Sequence, residues 1–120
     1  MKSSPTVLSL RKMRKEGYNC AIVEKWNPHI KIRQDLFGFI DIICVKGKEV
    51  TGIQSTSESG GNVAKRRTKI LEHNNYPLIK DAIRIVVHGW KFKDKKYVCR
   101  EIELGKILEE NSNKSSRRKE

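Results

Sequence analysis

Long apolar segments, paired cysteines and a balancing set of acidic residues are missing from this sequence, and each absence excludes a class of protein. The longest apolar runs have the length of a strand, so we expect no transmembrane span. The N-terminal segment lacks the uninterrupted apolar stretch of a signal peptide. The three cysteines lie in apolar, strand-like segments without a CxxC or Cys/His pair. This pattern predicts reduced cysteines in a cytoplasmic protein and no structural zinc.

The shortage of acidic residues leaves a large positive charge. Lysine and arginine number 26 against 14 aspartate and glutamate, which gives a net charge of +12. This balance favours a polyanionic partner, and nucleic acid is the first expectation. A soluble basic protein without such a partner is the alternative. A membrane surface is disfavoured, because no basic amphipathic helix is long enough to lie on one.

Apolar residues make up 37% of the 120 residues, which is enough for one domain with a modest core. Hydrophobic periodicity and turn residues predict the order helix, three strands, helix, two strands, an α+β domain with a mixed central sheet. This domain covers residues 1–108, and the polar residues 109–120 are typical of a disordered basic tail. The predicted helices are 5–17 and 62–75, and the predicted strands are 19–26, 36–45, 49–56, 83–92 and 97–104.

The predicted strand 36–45 is apolar at both alternating positions. Such a pattern is typical of a central strand that is covered on both faces. Asp41 interrupts it. Because burying an unpaired charge is costly, a carboxylate at this position needs a partner.

That partner follows from the register of the hairpin that this strand forms with residues 49–56. Gly47-Lys48 suits a two-residue turn with glycine first, so that Lys46 faces Glu49. By the same register Asp41 faces Gln54, and Phe39 faces Thr56. Directly opposed residues share one face of the sheet, with Cβ atoms ~4.5–5.5 Å apart.

The hairpin would therefore present Asp41, Gln54 and Thr56 as a polar patch on apolar strands. Mg²⁺ takes oxygen ligands, often one or two carboxylates and a substrate phosphate, so the patch predicts an Mg²⁺ (or Mn²⁺) site with Asp41 and Gln54 as ligands. Three further carboxylates are candidate auxiliary ligands: Glu24, Glu16 and Asp35. The alternative is that Asp41 and Gln54 only hydrogen-bond each other or a neighbouring turn.

The predicted helix after the hairpin has four basic residues in its first two turns, which are Lys65, Arg66, Arg67 and Lys69. Cations near a helix N-terminus are unfavourable by ~0.3–1 kcal/mol each at low salt. Their presence therefore indicates a nearby anion, such as a DNA phosphate. A solvated helix face is the alternative.

The histidines and tryptophans give weaker signals. His29, His73 and His88 share no metal-ligand spacing, which favours ordinary core or surface positions. Trp26 and Trp90 could stack on bases. Packing at strand ends is the structural alternative for both tryptophans.

These segments together resemble the PD-(D/E)XK nuclease superfamily, which includes Holliday junction resolvases and many restriction endonucleases. The similarity depends on Asp-Leu-Phe-Gly-x-x-Asp at 35–41, Gln-x-Thr-Ser at 54–57 and the basic helix that ends in Lys-Ile at 65–70. Similar strings occur in uncharacterised phage and bacterial resolvase-like proteins. The resemblance implies a restriction-endonuclease-like core, an α/β sandwich, in which Asp41 binds the metal and Gln54 replaces the motif glutamate.

One position departs from the family pattern. The motif places its catalytic lysine, which helps orient or activate the attacking water and stabilises charge on the phosphate, where this chain has Thr56. Some members carry that lysine on the following helix, so Lys69, or else Lys65, is predicted to replace it. If neither does, the fold binds DNA without cutting it.

The resemblance therefore implies a metal-dependent endonuclease that hydrolyses phosphodiester bonds in branched or duplex DNA, in the cytoplasm of a bacterial or phage-infected cell. A homodimer is a candidate assembly, because a DNA junction has two-fold symmetry. Two alternatives remain open. One is a catalytically inactive nuclease fold that binds DNA, and the other is a small basic accessory factor that binds another protein.

Overall fold

A five-stranded sheet forms the centre of the fold in the computed structural model, which describes residues 3–105. The predicted tail at 109–120 lies outside the described residues. The helices are α1 (Pro5–Lys15), α2 (Asn62–Leu71) and the short α3 (Tyr76–Ile79), with a 3₁₀ turn at Ser59–Gly61. The strands are β1 (Asn19–Ile22), β2 (Lys25–Asn27), β3 (Ile32–Gln34), β4 (Ile42–Lys46), β5 (Glu49–Ser57), β6 (Arg84–Lys93) and β7 (Lys96–Glu103).

The sheet is mixed, as the sequence predicts, with the strand order β1-β4-β5-β6-β7. Strands β5 and β6 are parallel, and the other neighbouring pairs are antiparallel. Helices α2 and α3 lie in the connection between β5 and β6, because parallel neighbours need a crossover. Strands β2 and β3 form a separate antiparallel ribbon. The α+β class and the element order are therefore confirmed, with this ribbon as an insertion.

The helices start and stop close to the predicted residues. Ser4 caps α1 by accepting a main-chain hydrogen bond, and Gly17, with φ of 96°, lies just beyond its end. Helix α2 begins at Asn62, as predicted, and it ends at Leu71, before the predicted end at residue 75. None of the described helices is long and apolar enough to cross a membrane.

The β4–β5 hairpin has the predicted register. Ile42 pairs with Ile53, around a turn in which Gly47 has φ of 61°, as a glycine-first turn requires. The N–H of Asp41 donates to Ile53 O at 2.8 Å, so hydrogen bonding continues as far as Asp41. The next position in this register places Asp41 beside Gln54.

The strand predicted over residues 36–45 begins only at Ile42. The residues before it form a tight turn in which Gly38 has φ of 91°, a conformation that favours glycine. Because the turn reverses the chain, strand pairing does not continue beyond this point. Phe39 is therefore buried in the core and does not face Thr56.

The strand predicted over residues 19–26 is divided in two by a bend. The N–H groups of Val23 and Glu24 both donate to Asp41 O, at 2.8 and 3.3 Å. This shared acceptor ends β1 and turns the chain out of the main sheet, where it continues as the β2–β3 ribbon. The bend also places Glu24 next to Asp41.

Strand β5, and not β4, is the strand covered on both faces. In β4 the side chains of Ile42 and Cys44 are fully buried, whereas Val45 is exposed. In β5 every residue from Thr51 to Thr56 is buried. The prediction of a doubly covered β4 is wrong, because β5 occupies the middle of the sheet and contacts both long helices.

Helices α1 and α2 cover opposite faces of the sheet. Met13 of α1 packs in a cluster with Val86, whereas Ile70 of α2 packs in a second cluster with Val87. Because successive strand residues point to opposite faces, the two clusters lie on either side of β6. The sheet is thus enclosed between helices.

Candidate metal centre

Three carboxylates meet where the β2–β3 ribbon joins the main sheet. Glu24 precedes β2 and Asp35 follows β3, so the two extend the ribbon's register by one position and lie opposite each other. Asp41 directly precedes β4. One oxygen from each carboxylate lies within 4.8 Å of those of the other two. Negative charges this close repel each other unless a proton or a cation is shared between them.

Asp41 is the most enclosed of these three residues, with only 3% of its surface exposed. Its Oδ2 accepts hydrogen bonds from Ser55 N–H at 2.8 Å and from Gln54 Nε2 at 2.9 Å. The predicted contact between Asp41 and Gln54 is therefore confirmed. Because both donors belong to the central strand β5, they fix the orientation of the carboxylate.

This contact pairs only one of the two polar atoms of the Gln54 amide. It is 2% exposed, and its Oε1 is buried without a hydrogen-bond partner among the described residues. An unpaired buried polar group costs about 1–3 kcal/mol. Gln54 lines the same cavity as the three carboxylates. A simple hydrogen bond between Asp41 and Gln54 leaves this oxygen unexplained.

Burial raises the pKa of Asp41 to about 7, and the charges of Asp35 and Glu24 add to the rise. The hydrogen bond from Ser55 N–H acts in the opposite direction. Near neutral pH, Asp41 is therefore poised between holding a proton and being ionised. Three carboxylates and an amide oxygen fit a hard divalent cation such as Mg²⁺ or Mn²⁺, which would take the place of that proton.

A cavity of about 330 Å³ opens over the carboxylates, and three cationic side chains also line it: Arg33, Arg66 and Lys69. Arg33 Nη1 lies 3.6 Å from Glu24 Oε1. Within residues 3–105, neither Arg66 nor Lys69 forms an ion pair with the three carboxylates. Helix α2 thus brings two of its predicted basic residues over the hairpin, where their charges remain available to an anion.

Other predicted site residues lie elsewhere. Glu16 follows the last residue of α1 and pairs with Lys12, so it is not an auxiliary ligand. Lys65 and Arg67 do not line the cavity, because only residues three or four apart share one side of a helix. Thr56 is buried opposite β6, beyond the end of the β4 pairing, and does not line the cavity either.

The sequence does not directly predict that the β2–β3 ribbon contributes residues to the cavity. No pattern in the sequence distinguishes Arg33. The sequence ranks Glu24 and Asp35 as auxiliary ligands, and the structure places a carboxylate oxygen of each within 4.8 Å of one from Asp41. A usable signal is that these two acids flank residues 25–34, a segment of hairpin length without an acidic residue. Two acids at the base of one hairpin necessarily lie close together.

A second basic surface lies on one face of the β6–β7 hairpin and consists of Lys91, Lys93, Lys96 and Arg100. Lys93 is directly opposite Lys96, an arrangement that charge repulsion disfavours. Glu58 is an acidic neighbour of two of these residues, at 3.9 and 4.0 Å. Because Ser57, the last residue of β5, pairs with Trp90, the hairpin extends beyond the end of β5. This surface carries no distinguishing signal in the sequence.

A buried polar network, here called the Ser9 network, lies on the opposite face of β5 from Gln54. Ser9 Oγ accepts hydrogen bonds from Trp90 Nε1 at 2.8 Å and from Ser55 Oγ at 2.7 Å. Its own proton is then left for His88 Nδ1, 2.8 Å away. His88 Nε2 lies 2.9 Å from a carboxylate oxygen of Glu101, and this bond lowers the pKa of Glu101. Since Ser9 is fully buried, the row of serine, histidine and carboxylate is structural.

None of the protein-family models matches this chain, and no curated protein or solved structure matches it. The resemblance to the PD-(D/E)XK superfamily therefore stays a prediction. Fold and site together define an α+β protein with a mixed five-stranded sheet and a cation-lined cavity over three carboxylates.

Proposed function

We propose that this protein is a metal-dependent DNA endonuclease of the PD-(D/E)XK type. The observation that supports this best is the convergence of three carboxylates and Gln54 on one cavity. The same cavity is lined by cations from helix α2. Ligands for a divalent cation next to side chains that bind phosphate are the combination that phosphodiester hydrolysis needs.

Each part of the cavity then has a role. Glu24, Asp35 and Asp41 would hold an Mg²⁺ or Mn²⁺ ion, with Gln54 Oε1 as a further ligand. When bound, such an ion supplies positive charge to the scissile phosphate and lowers the pKa of a water molecule. Ser55 N–H holds the Asp41 carboxylate in place and keeps it oriented.

The positive charge missing at Thr56 would come from helix α2. Arg66 and Lys69 lie three residues apart and both line the cavity. Because no ion pair with the carboxylates occupies them within residues 3–105, both can bind phosphate oxygens. This placement supports Lys69 as the substitute for the motif lysine.

Cleavage assays on branched and duplex DNA, in Mg²⁺, in Mn²⁺ and in EDTA, test the proposal. We expect cleavage only with a divalent ion, and we expect Asp41→Asn to slow it by about 100-fold or more, since even outer-shell partners of a metal contribute ~10–100-fold. Asp81→Asn is the matched control, because Asp81 is exposed and its one ion pair among the described residues is with Lys80, at 3.4 Å. Cleavage by Asp41→Asn with unchanged metal dependence would contradict the site.

A DNA-binding protein without nuclease activity is the second candidate function. It is favoured by the buried Thr56 at the position of the motif lysine. In this case DNA binding depends on salt, and neither ion supports cleavage. Mn²⁺ would still raise the Tm of the wild-type chain and not that of Asp41→Asn, because a ligand that binds the folded state stabilises it whether or not catalysis occurs.

A further inference from the structure

The β2–β3 ribbon exposes large apolar side chains beside the cavity. Trp26 is 51% exposed, Ile30 56% and Ile32 50%. A two-stranded ribbon is marginally stable by itself in water, so exposed apolar groups on it are not explained by folding. Trp90, in contrast, is buried within β6, where its Nε1 donates a hydrogen bond to Ser9 Oγ, so it packs in the core and not at a strand end.

The positive charge of the ribbon favours an anionic partner. Residues 25–34 include Lys25, Lys31 and Arg33 and contain no acidic residue. A second copy of this chain has the same excess of positive charge, which opposes self-association through the ribbon. An anionic partner that also offers flat apolar faces is complementary to it, and single-stranded DNA has both properties.

The register of the ribbon connects Trp26 to the carboxylates. Trp26 pairs with Arg33, and directly opposed residues share a face. Glu24 and Asp35 are two residues away along the two strands, so they project to that same face, about 7 Å along the ribbon. Arg33 also lines the carboxylate cavity. A nucleotide whose phosphate enters the cavity therefore has its base within reach of the indole ring.

We propose that Trp26 stacks on an unpaired base of the nucleotide next to the phosphate in the cavity, so that the substrate is DNA with single-stranded nucleotides. This inference rests on the proposed function, because it assumes that the cavity receives a DNA phosphate. In continuous duplex both faces of each base are already covered by neighbouring bases. A flap, a gap or a branch provides the free base face that Trp26 requires.

Fluorescence titrations in EDTA test this inference without relying on cleavage. The probes are oligodeoxythymidine of about 12 nucleotides, within the usual site size, and a duplex of equal length. We expect the single strand to quench the fluorescence of Trp26, and Trp26→Leu to weaken its binding by about 5- to 100-fold, as the loss of one stacked base does. Duplex binding should change by less than about 2-fold, because only phosphate contacts remain there.

Two further variants separate stacking from other effects. Trp26→Phe keeps an aromatic face and should retain most of the affinity for the single strand. Phe92→Ala removes an aromatic residue that is 59% exposed on the β6–β7 hairpin, and it should leave the discrimination between single strand and duplex intact. Circular dichroism checks that each variant is folded.

Several outcomes would overturn the inference. One is equal weakening of single-strand and duplex binding by Trp26→Leu, and another is no effect on either. A dimer that forms in the absence of DNA and is abolished by Trp26→Leu would make a second copy the occupant of the ribbon. Loss of metal-dependent cleavage with intact single-strand discrimination would instead contradict only the proposed catalytic function.

Discussion

The two buried polar clusters on β5 differ in how completely their groups are paired. In the Ser9 network the hydroxyl of Ser9 has three partners, and both ring nitrogens of His88 have one. Around Asp41, the Oε1 of Gln54 has no partner among residues 3–105, and three carboxylates lie within 4.8 Å of one another. Since unpaired buried groups destabilise a fold, the Ser9 network stabilises the protein, whereas the carboxylate cluster is suited to a ligand.

The two clusters meet at Ser55. Its hydroxyl donates to Ser9 on one face of the sheet, and its N–H donates to Asp41. The fully paired Ser9 network therefore holds strand β5 in place, and β5 in turn holds the Asp41 carboxylate. A site that reduces stability needs such rigid support if its ligands are to stay in place.

Removing the centre of the Ser9 network should have the largest effect on stability. Ser9→Ala leaves Trp90 Nε1 and the Ser55 hydroxyl without their acceptor in the core. We expect a loss of about 3 kcal/mol, because each unpaired buried group costs about 1–3 kcal/mol. The Tm should fall by roughly 15 °C in a domain of this size. Thermal and urea unfolding in EDTA measure both quantities.

The control for this variant is Ser59→Ala, which removes an exposed hydroxyl whose one hydrogen-bond partner in the described part of the chain is Ser57. Its effect should stay within about 0.5 kcal/mol, as is usual for surface positions. If Ser9→Ala and Ser59→Ala have equal effects, the complete pairing of the Ser9 network does not stabilise the fold, and the contrast between the two clusters fails.

Removing the charge of Asp41 should make the protein more stable, by less than Ser9→Ala makes it less stable. In EDTA at about pH 8, Asp41→Asn should raise the free energy of unfolding by about 2 kcal/mol, because it removes a buried charge and keeps an acceptor for Ser55 N–H. The same substitution should abolish the stabilisation that Mn²⁺ gives to the wild-type chain.

The pH dependence of stability tests the ionisation behind this effect. The folded-state pKa of Asp41 is about 7, above its unfolded value, so the folded chain holds an extra proton between the two values. Wild-type stability in EDTA should therefore fall as the pH rises from about 4 to 7, by up to 1.4 kcal/mol per pH unit from this group, and the slope should be flatter in Asp41→Asn. An equally steep slope in Asp41→Asn would assign the titration to another group.

The contact between Asp41 and Gln54 could be predicted from the sequence because only local rules determine it. The two-residue turn that includes Gly47 fixes which residues of the hairpin are opposite each other. The two-residue period of a strand then decides which side chains share a face. Both rules hold from the turn as far as Asp41.

The rest of the site depends on contacts between segments distant in sequence. The chain leaves the main sheet at Glu24 because Asp41 O accepts two main-chain hydrogen bonds. It reverses near Gly38, where apolar residues flank the glycine on both sides and a single glycine is only a weak sign of a turn. Neither event has a local signature strong enough to place Arg33 beside the carboxylates. The sequence therefore names the three clustered carboxylates, together with Glu16, which lies elsewhere, but it does not indicate Arg33.

Substitutions of two lysines in helix α2 should have the smallest effects. They test whether the cavity over the carboxylates binds a phosphate. Lys69 lines both the cavity and a neighbouring depression on the helix, whereas Lys65 lines only the depression. Lys69→Ala should reduce the slope of log affinity for DNA against log salt by about 1, the value for one phosphate contact. Lys65→Ala should leave that slope unchanged, and both variants should keep the wild-type Tm, because neither touches the Ser9 network. Fluorescence anisotropy with labelled DNA in EDTA measures the slopes. Equal reductions by the two variants would mean that α2 presents a general basic face and that the cavity does not select a phosphate.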